Sequence, residues 1–326
     1  MEVYITPEIR KAELESLIHQ YSYGRYCEDR SLSLEQSRRF LFDQLWQFST
    51  RTEARSIVAY SPSGELLGVL FYRLSQWDTE HFGWNVVVIE AIITGVLGYK
   101  QELEVADALV QKFLVACEAL SVRFISVRVP SLNLPVTHSL ERRGFCYIET
   151  CICNKYDLRR VNEFSKSPYR LRLIRQDDYP LMVRYSRGAF ASHRFRADSH
   201  IDMDKADALY EKWIRTAFND PNQEILVLDV DGRPAAFMIY YRSDLRQYFG
   251  LRFAMWKMAL LDPQNRNGGL GTNFFITLLH HHQEEGLDVV DSGLSMRNLA
   301  SLNLHIKLNF RVVSTTLTFH KWLNQC

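Results

Sequence analysis

One stretch of the sequence, residues 261–272, limits the possible folds more than any other. It reads Leu-Asp-Pro-Gln-Asn-Arg-Asn-Gly-Gly-Leu-Gly-Thr and lies between two apolar segments. The segment before it, Phe253–Leu261, is apolar enough to be a buried strand, and the segment after it repeats apolar residues at helical spacing. Glycines allow backbone angles that a Cβ would forbid, and the N–H groups of a helix start suit a phosphate. The stretch therefore predicts a strand, an anion-binding turn and a helix in succession.

The spacing of this turn differs from that of two common phosphate-binding loops. It lacks the Gly-Lys-Ser/Thr ending of a Walker loop and the Gly-x-Gly-x-x-Gly of dinucleotide-binding folds. What remains, Arg266-x-x-Gly269-x-Gly271, resembles the pyrophosphate loop of the GNAT acyl-CoA transferases. A glycine-rich turn without a ligand is the alternative interpretation. The resemblance implies that acyl-CoA is bound by Leu260, Leu261, Arg266, Asn267, Gly268, Gly269, Leu270, Gly271 and Thr272.

A second segment, residues 298–310, strengthens the resemblance to the GNAT transferases. Its matching positions are Asn298, Leu304, Lys307, Leu308 and Phe310. His305 stands where the family usually has tyrosine, and Asn309 stands where it usually has glycine. Asparagine tolerates positive φ, so the second change keeps a helix cap. The resemblance implies cofactor contacts and catalytic roles for Asn298 and His305.

The two residues have alternatives of their own. Asn298 would hold either the pantetheine arm or the start of the last helix. An imidazole near neutral pH can give or take a proton, so His305 could be an acid, a base or neither. A histidine packed on the side of a helix is the simpler interpretation of His305.

The length of 326 residues suits two domains, and both halves show the same order of predicted elements. Each half reads as a strand, helices, a strand–turn–strand pair, a strand, a helix, a strand, a short helix and a closing strand. The final closing strand is predicted over 310–322, in the second half. With the resemblance, this predicts an α/β (α+β) chain of two tandem GNAT-like domains, each a mixed, mostly antiparallel sheet flanked by helices. They would cover 1–160 and 169–326, with a polar link near Arg159–Pro168.

The first half lacks a counterpart of the glycine turn. At the corresponding place, residues 95–104 read Gly-Val-Leu-Gly-Tyr-Lys-Gln-Glu-Leu-Glu. Acidic side chains at the start of a helix repel a pyrophosphate. Residues 133–145 nevertheless carry a tail similar to that of the second half. We interpret the first half as a degenerate GNAT-like domain without a CoA loop.

Two short stretches, residues 77–83 and 192–200, mix aromatic and charged residues outside periodic segments. Both resemble motifs of the dTDP-fucosamine acetyltransferases, a tandem GNAT subgroup of surface-polysaccharide synthesis. A nucleoside diphosphate suits arginines for its phosphates and an aromatic face for its base. Solvated loop charges and core aromatics are the alternative. The predicted substrate residues are Trp77, Asp78, Phe82, His193, Arg194, Phe195 and Arg196.

Charge and composition argue against a nucleic-acid-binding protein and against a membrane protein. The net charge of +1 gives no field for nucleic acid or a membrane, and the longest apolar run is too short to cross a bilayer. The opening residues lack an apolar run, so we expect no signal peptide, a cytoplasmic location and reduced cysteines. No metal is predicted: the histidines at 280–282 are expected to form a solvated helix end, and the thiols at 151 and 153 soft packing. Whether the chain forms a homodimer stays open.

These patterns predict an enzyme, an acyl-CoA-dependent N-acyltransferase. It would move an acetyl or short hydroxyacyl group, such as 3-hydroxybutyryl, from acyl-CoA to the amine of a dTDP-linked amino deoxysugar in surface-polysaccharide biosynthesis. A GNAT acetyltransferase for a peptide or small-molecule amine is the first alternative. A non-catalytic CoA-binding protein is the second, and the change from tyrosine to His305 is the feature that favours it.

Overall fold

The computed structural model describes residues 1–6, 8–95, 97–265 and 268–323. They form two compact units. The first unit consists of residues 1–151 together with the C-terminal segment from Ser314. The second unit consists of Ile152–Val313. None of the described helices has the length and hydropathy needed to cross a membrane.

The first unit is a sheet covered by helices on both faces. Its strands are β1 (Glu2–Thr6), β2 (Ala54–Tyr60), β3 (Leu66–Leu74), β4 (Val86–Thr94), β5 (Phe124–Pro130), the start of β6 (Cys146–Asp157) and most of β12 (Arg311–Trp322). Its helices are α1 (Lys11–Gln20), α2 (Leu34–Ser49), α3 (Gln76–Phe82), α4 (Tyr99–Ala119) and α5 (Leu134–Arg142). The strand order is β1-β2-β3-β4-β5-β12. The pair β4/β5 is parallel, and the neighbours β1/β2, β2/β3, β3/β4 and β5/β12 are antiparallel.

The second unit repeats this architecture. Its strands are the end of β6, β7 (Arg170–Leu173), β8 (Glu224–Val230), β9 (Arg233–Asp244), β10 (Arg252–Leu261) and β11 (Val289–Ser295). Its helices are α6 (Tyr179–Ser186), α7 (Arg194–Ala197), α8 (Met203–Asn219), α9 (Arg246–Phe249), α10 (Leu270–Glu284) and α11 (Leu299–Lys307). The strand order is β6-β11-β10-β9-β8-β7. The pair β10/β11 is parallel, and β9 is antiparallel to both β8 and β10.

Both units are built around two apolar clusters, one on each face of the sheet. In the first unit, neighbouring residues Ile57 and Val58 of β2 belong to different clusters, because successive side chains of a strand point to opposite faces. In the second unit, Met238 and Ile239 of β9 are divided in the same way. One cluster of the second unit includes α10, and the other includes α6 and α8. The predicted mixed, mostly antiparallel sheets flanked by helices are therefore confirmed.

The limits of the units differ from the predicted domains of 1–160 and 169–326. The predicted link begins with a 3-10 helix, Leu158–Glu163, whose Leu158 and Val161 are buried in a core cluster of the second unit. This polar-looking segment is therefore part of a core. The last strand was also predicted in the wrong domain. From Ser314 onward β12 belongs to the first unit, because residues 316–322 pair with β5.

The parallel strand pair separates at the same point in both units. In the first unit, β4 and β5 share four residue pairs, the last at Ile89, and the next residue, Glu90, is an extra residue opposite β3. In the second unit, β10 and β11 share four residue pairs, the last at Trp256, and Lys257 is the extra residue opposite β9. Such bulges bend a strand and end its regular pairing. The common bulge shows that the two halves share one plan.

Candidate active site

The second unit opens between β10 and β11. Their parallel pairing ends where Trp256 lies opposite Ser292. Beyond the bulge at Lys257, residues 258–261 pair with β9 on one edge, and the described residues offer them no strand partner on the other edge. Backbone N–H and C=O groups along such an edge can bind an extended ligand by hydrogen bonds. The opening leads from the bulge to the end of β10.

The glycine turn lies at the end of this opening. The predicted strand, turn and helix are all present, since β10 ends at Leu261 and α10 begins at Leu270. Gly269 has φ of +81°, a backbone conformation that residues with a side chain rarely adopt. Its carbonyl oxygen accepts a hydrogen bond from the N–H of Asn273 in α10. A Cβ on Gly271 would lie 3.3 Å from Leu261 Cδ2. The predicted Arg266 and Asn267 lie outside the described residues.

The first turn of α10 presents donors to this place, and Lys307 at the end of α11 adds a cation. The N–H groups of Leu270, Gly271 and Thr272 have no acceptor within the helix, as at every helix start, and the helix dipole favours an anion there. The exposed Lys307 donates from Nζ to Thr272 Oγ1 at 3.3 Å. Sequence reasoning matched Lys307 to a pattern and gave it no role. Its position beside the turn adds a positive charge to the candidate phosphate site.

Asn298 is a helix cap. Its side-chain oxygen accepts from the N–H of Ser301 at 3.1 Å, at the start of α11. Asn309 follows the same helix with φ of +60°. The expected positive φ of Asn309 is confirmed. Of the two roles considered for Asn298, the structure shows the second, the start of the last helix.

His305 is buried, with both ring nitrogens in hydrogen bonds. Only 2% of its surface is exposed, and its ring contacts those of Phe275 and Phe310. Nδ1 lies 2.7 Å from the carbonyl oxygen of Ser301, and Nε2 lies 2.9 Å from Ser292 Oγ. Burial lowers the pKa of His305, an effect that the Ser301 carbonyl partly opposes. His305 is therefore packed against the side of the helix, as the simpler interpretation predicted. It also has a polar contact with Ser292, at the point where the pairing of β10 and β11 ends.

Asp291 is a buried carboxylate that sequence reasoning missed. It is 1% exposed on β11, in register with Met255, and Cys153 Sγ donates to its carboxylate at 3.4 Å. Residues 291 and 292 are adjacent on a strand, so Asp291 faces the side of the sheet opposite to Ser292 and His305. A carboxylate near the opening can attract an ammonium group. The signal available in the sequence was an acid inside an apolar strand.

Two histidines of the run at the end of α10, His280 and His282, are buried, contrary to the predicted solvated helix end, and His281 is half-buried. His282 is fully buried and accepts a hydrogen bond on Nε2 from Trp256 Nε1 at 3.0 Å. His280 is 6% exposed and lies 3.2 Å from the carbonyl oxygen of Phe164. Burial lowers the pKa of His282 to about 3. The error arose because these residues face the sheet and the segment after β6. Among the described residues, no three histidine, cysteine or acidic side chains form a metal-binding group.

The predicted substrate stretch of the second unit forms the short helix α7 and its start. Phe195 is 2% exposed, so its ring is a core residue and not the predicted platform for a base. Its face carries the Arg194 guanidinium at 4.5 Å. Arg196 lies 3.5 Å from the carboxylate of Asp207, and the ring of His193 contacts Tyr210. Arg194 is half-buried at the start of α7, and its predicted role as a phosphate ligand stays a prediction.

The predicted substrate stretch of the first unit is the helix α3. Asp78 is buried and accepts from Ser75 Oγ at 2.5 Å, so it fixes the start of the helix. Phe82 is 2% exposed and stacks on Trp84 at 5.4 Å. Both are therefore structural residues, contrary to the predicted substrate role. Trp77 is half-buried and stacks on His81.

The comparisons with known proteins agree with this fold. No family model matches the chain. The spore coat polysaccharide biosynthesis protein SpsD of Bacillus subtilis is 18% identical over 289 residues, which cover 88% of this chain and 92% of that protein. An L-methionine sulfoximine/L-methionine sulfone acetyltransferase of Salmonella typhimurium is 26% identical over 131 residues, 39% of this chain and 72% of that protein.

The solved structures include a tandem GNAT protein from the clavulanic acid biosynthesis pathway. It aligns with a TM-score of 0.60 at 10% identity and covers 100% of both chains. An identity this low establishes the fold alone. The chain therefore has a tandem GNAT fold, as the repeated element order and the resemblance together predicted.

Proposed function

We propose that the chain is an acyl-CoA-dependent N-acyltransferase whose second unit binds the acyl-CoA. The observation that carries the proposal is the opening between β10 and β11, which ends at a glycine turn and a helix start. An acyl-CoA has an extended pantetheine arm and a pyrophosphate in line with it, so it matches both parts of this opening. The curated relatives support the reaction class, since one is an acetyltransferase of amino-acid derivatives.

The cofactor fits the described residues in two parts. The pyrophosphate would accept hydrogen bonds from the first N–H groups of α10, with Lys307 beside them. The pantetheine arm would run along residues 258–261, whose free edge supplies backbone donors and acceptors. Leu260 and Leu261 would take part through their main chains. The side chain of Leu260 is 1% exposed and belongs to the core, and that of Leu261 packs beside Gly271.

Acyl transfer to an amine needs a neutral amine, a stabilised oxyanion and a proton for the leaving thiolate. Backbone N–H groups of β10 at the bulge would stabilise the oxyanion of the tetrahedral intermediate. The Asp291 carboxylate would attract the substrate ammonium and lower the cost of bringing it into the opening. His305 would take part in the proton transfer through its hydrogen bond to Ser292, which belongs to the last residue pair of β10 and β11.

For the acceptor, we propose a nucleotide-linked amino sugar. The support is the relation to a protein of spore coat polysaccharide biosynthesis, which extends over most of both chains. Arg194 above Phe195 offers a guanidinium in a fixed position to a phosphate of the nucleotide. A small amino acid is the second candidate, favoured by the relation to the methionine sulfoximine acetyltransferase.

The experiment compares acceptors and donors in one thiol-release assay. The full chain would be incubated with acetyl-CoA or 3-hydroxybutyryl-CoA and either dTDP-linked amino deoxysugars or free amino acids. We expect thiol release with an amino sugar, and none in a Gly271→Val variant. Release with amino acids alone would replace the proposed acceptor by the second candidate. CoA binding in calorimetry without thiol release from any amine would make the chain a CoA-binding protein.

A further inference from the structure

We propose that Ser292 is the group that exchanges protons with the reacting atoms, and that His305 acts behind it as the proton store. The inference rests on the proposed function and adds a residue to it. It follows from three observations: the direction of the hydrogen bonds, the burial of the imidazole and the place of Ser292 in the sheet. Ser292 is thus the proposed catalytic residue, and His305 is a positioning and relay residue.

The direction of the hydrogen bonds follows from their partners. The Ser301 carbonyl can only accept, so the Nδ1 atom of His305, 2.7 Å away, carries a proton and donates it. A neutral imidazole with a proton on Nδ1 has a lone pair on Nε2. The Ser292 hydroxyl, 2.9 Å from Nε2, is then the donor. This pair resembles a hydroxyl held by a base, with a backbone carbonyl orienting the base.

His305 has both ring nitrogens occupied and is less accessible than Ser292, which is 6% exposed, so it is not suited to a direct role. The residue is 2% exposed, both nitrogens are occupied, and Phe275 and Phe310 lie against the ring. A substrate amine or a thiolate would have to displace Ser292 to reach Nε2. The Ser292 oxygen keeps a lone pair beyond its bond to His305 and can therefore accept a proton from another group.

The place of Ser292 is the point at which the sheet opens. It is the last β11 residue in register with β10, opposite Trp256, and the next residue, Gly293, is exposed. An acyl donor that lies extended along residues 258–261, with its pyrophosphate at the start of α10, would reach this point with its other end. In an acyl-CoA that end is the thioester.

The amine enters as an ammonium and first loses one proton to solvent. From the neutral amine onward, the proton balance of such a relay closes without another reactant. As the amine nitrogen bonds to the thioester carbonyl carbon, its proton passes to Ser292 Oγ, and the hydroxyl proton passes to His305 Nε2. The tetrahedral intermediate then expels the thiolate as the C–S bond breaks. The imidazolium returns its proton through Ser292 Oγ to the sulfur. Burial disfavours the charged imidazole, so the proton is stored only briefly, while the Ser301 carbonyl stabilises it.

The test uses a matched pair of substitutions at one position. Ser292→Thr keeps the hydroxyl and adds a methyl group, and Ser292→Val has the shape of the threonine variant with a methyl group in place of the hydroxyl. We expect the valine variant to lose roughly 10²- to 10⁴-fold in kcat with the KM for acyl-CoA nearly unchanged, and the threonine variant to retain most turnover. Ser295→Ala, on the same strand, is the control and should keep wild-type turnover. Thermal melting and CoA calorimetry of each variant report whether it is folded.

A double variant at positions 292 and 305 distinguishes a relay through Ser292 from a direct contact of His305 with the substrate. If His305 acts only through Ser292, then His305→Ala in the Ser292→Val background costs no further turnover, because interacting residues are not additive. A further loss would place His305 in contact with the substrate and overturn the relay. Equal turnover of the threonine and valine variants would overturn it as well. Thiol release by the wild type is measured first: its absence with every amine refutes the proposed function, and the relay with it.

Discussion

Acid should weaken the second unit through one buried histidine, His282. The native state keeps this imidazole neutral to about pH 3, because burial lowers its pKa. In the unfolded chain the same group takes up a proton near pH 6.5. Between these values the unfolded state binds more protons, so the free energy of unfolding falls as the pH falls. The stability is fully present above about pH 6.5 and is lost below it.

The size of this effect follows from linkage. The difference of about 3.5 pKa units corresponds to a limit of about 5 kcal/mol, of which about 2 kcal/mol is lost between pH 7 and pH 5. The matched variant is His282→Gln, since an amide oxygen can still accept from Trp256 Nε1 but does not titrate. His281→Gln, one residue earlier and half-buried, is the control.

The assay is urea unfolding at pH 7 and pH 5, followed by circular dichroism. Whatever its stability at pH 7, the His282→Gln protein should lose about 2 kcal/mol less than the wild type on going to pH 5. Equal losses in wild type, His282→Gln and His281→Gln would show that His282 is protonated in the native state, which contradicts the reasoning.

Two further predictions concern the opening itself. Gly271→Val should abolish CoA binding in calorimetry, because its Cβ would meet Leu261 at 3.3 Å and its methyl groups would cover the first N–H groups of α10; full affinity would remove the turn from the site. Asp291→Asn removes the charge that would attract the ammonium, so it should lower kcat/KM for the amine by roughly 10- to 100-fold, about 1.4–2.7 kcal/mol, at unchanged CoA affinity. Asp288→Asn should stay near wild type. An unchanged kcat/KM would make Asp291 a structural residue.

The features predicted correctly from the sequence are those with a local cause. The turn before α10 follows from glycines between a strand and a helix, and Gly269 indeed requires positive φ. The cap of α11 follows from the chemistry of Asn298, and the positive φ of Asn309 from the tolerance of asparagine for that conformation. Each signal lies within a few residues of its structural effect, so one sequence is enough to read it.

The features that sequence reasoning missed depend on contacts between strands and helices that are far apart in the sequence. The place of β12 follows from its pairing with β5, about 190 residues earlier in the chain. The burial of His282 follows from Trp256 on a neighbouring strand. The contact between Ser292 and His305 depends on the face of β11 that carries Ser292, which a shift of one residue would reverse. No local pattern encodes these relations.

The substrate stretches show a different limit. A sequence in which aromatic and charged residues alternate is found both in ligand-binding loops and at the edge of a hydrophobic core, where the aromatic rings are buried and the charges stay at the surface. Phe195 belongs to the second kind, since it is buried under Arg194. Composition does not distinguish the two cases, because the side chains that fill a core also bind nucleotide bases.

The two units provide an internal control for the cofactor site. Both have the bulge and the strand separation, and in both a glycine at positive φ precedes the helix: Gly98 before α4 and Gly269 before α10. They differ in the first turn of that helix. In α4 it contains Glu102, which is 9% exposed, whereas α10 has no acid there and has Lys307 beside it. A buried carboxylate at a helix start repels a pyrophosphate.

Titration with CoA should therefore give one site per chain. Lys307→Ala should raise the Kd by roughly 10- to 150-fold, the equivalent of about 1.5–3 kcal/mol for a charge-assisted hydrogen bond, and the difference should shrink as salt is raised. Lys100→Ala, which removes an exposed lysine from the first turn of α4, should leave the Kd unchanged. A larger effect of Lys100 than of Lys307 would place the cofactor at the start of α4 in the first unit. Two sites per chain would show that the sheet opening binds the cofactor without help from the helix start. The bulge common to both units would then be the determinant of binding, and the glycine turn would be only a connection.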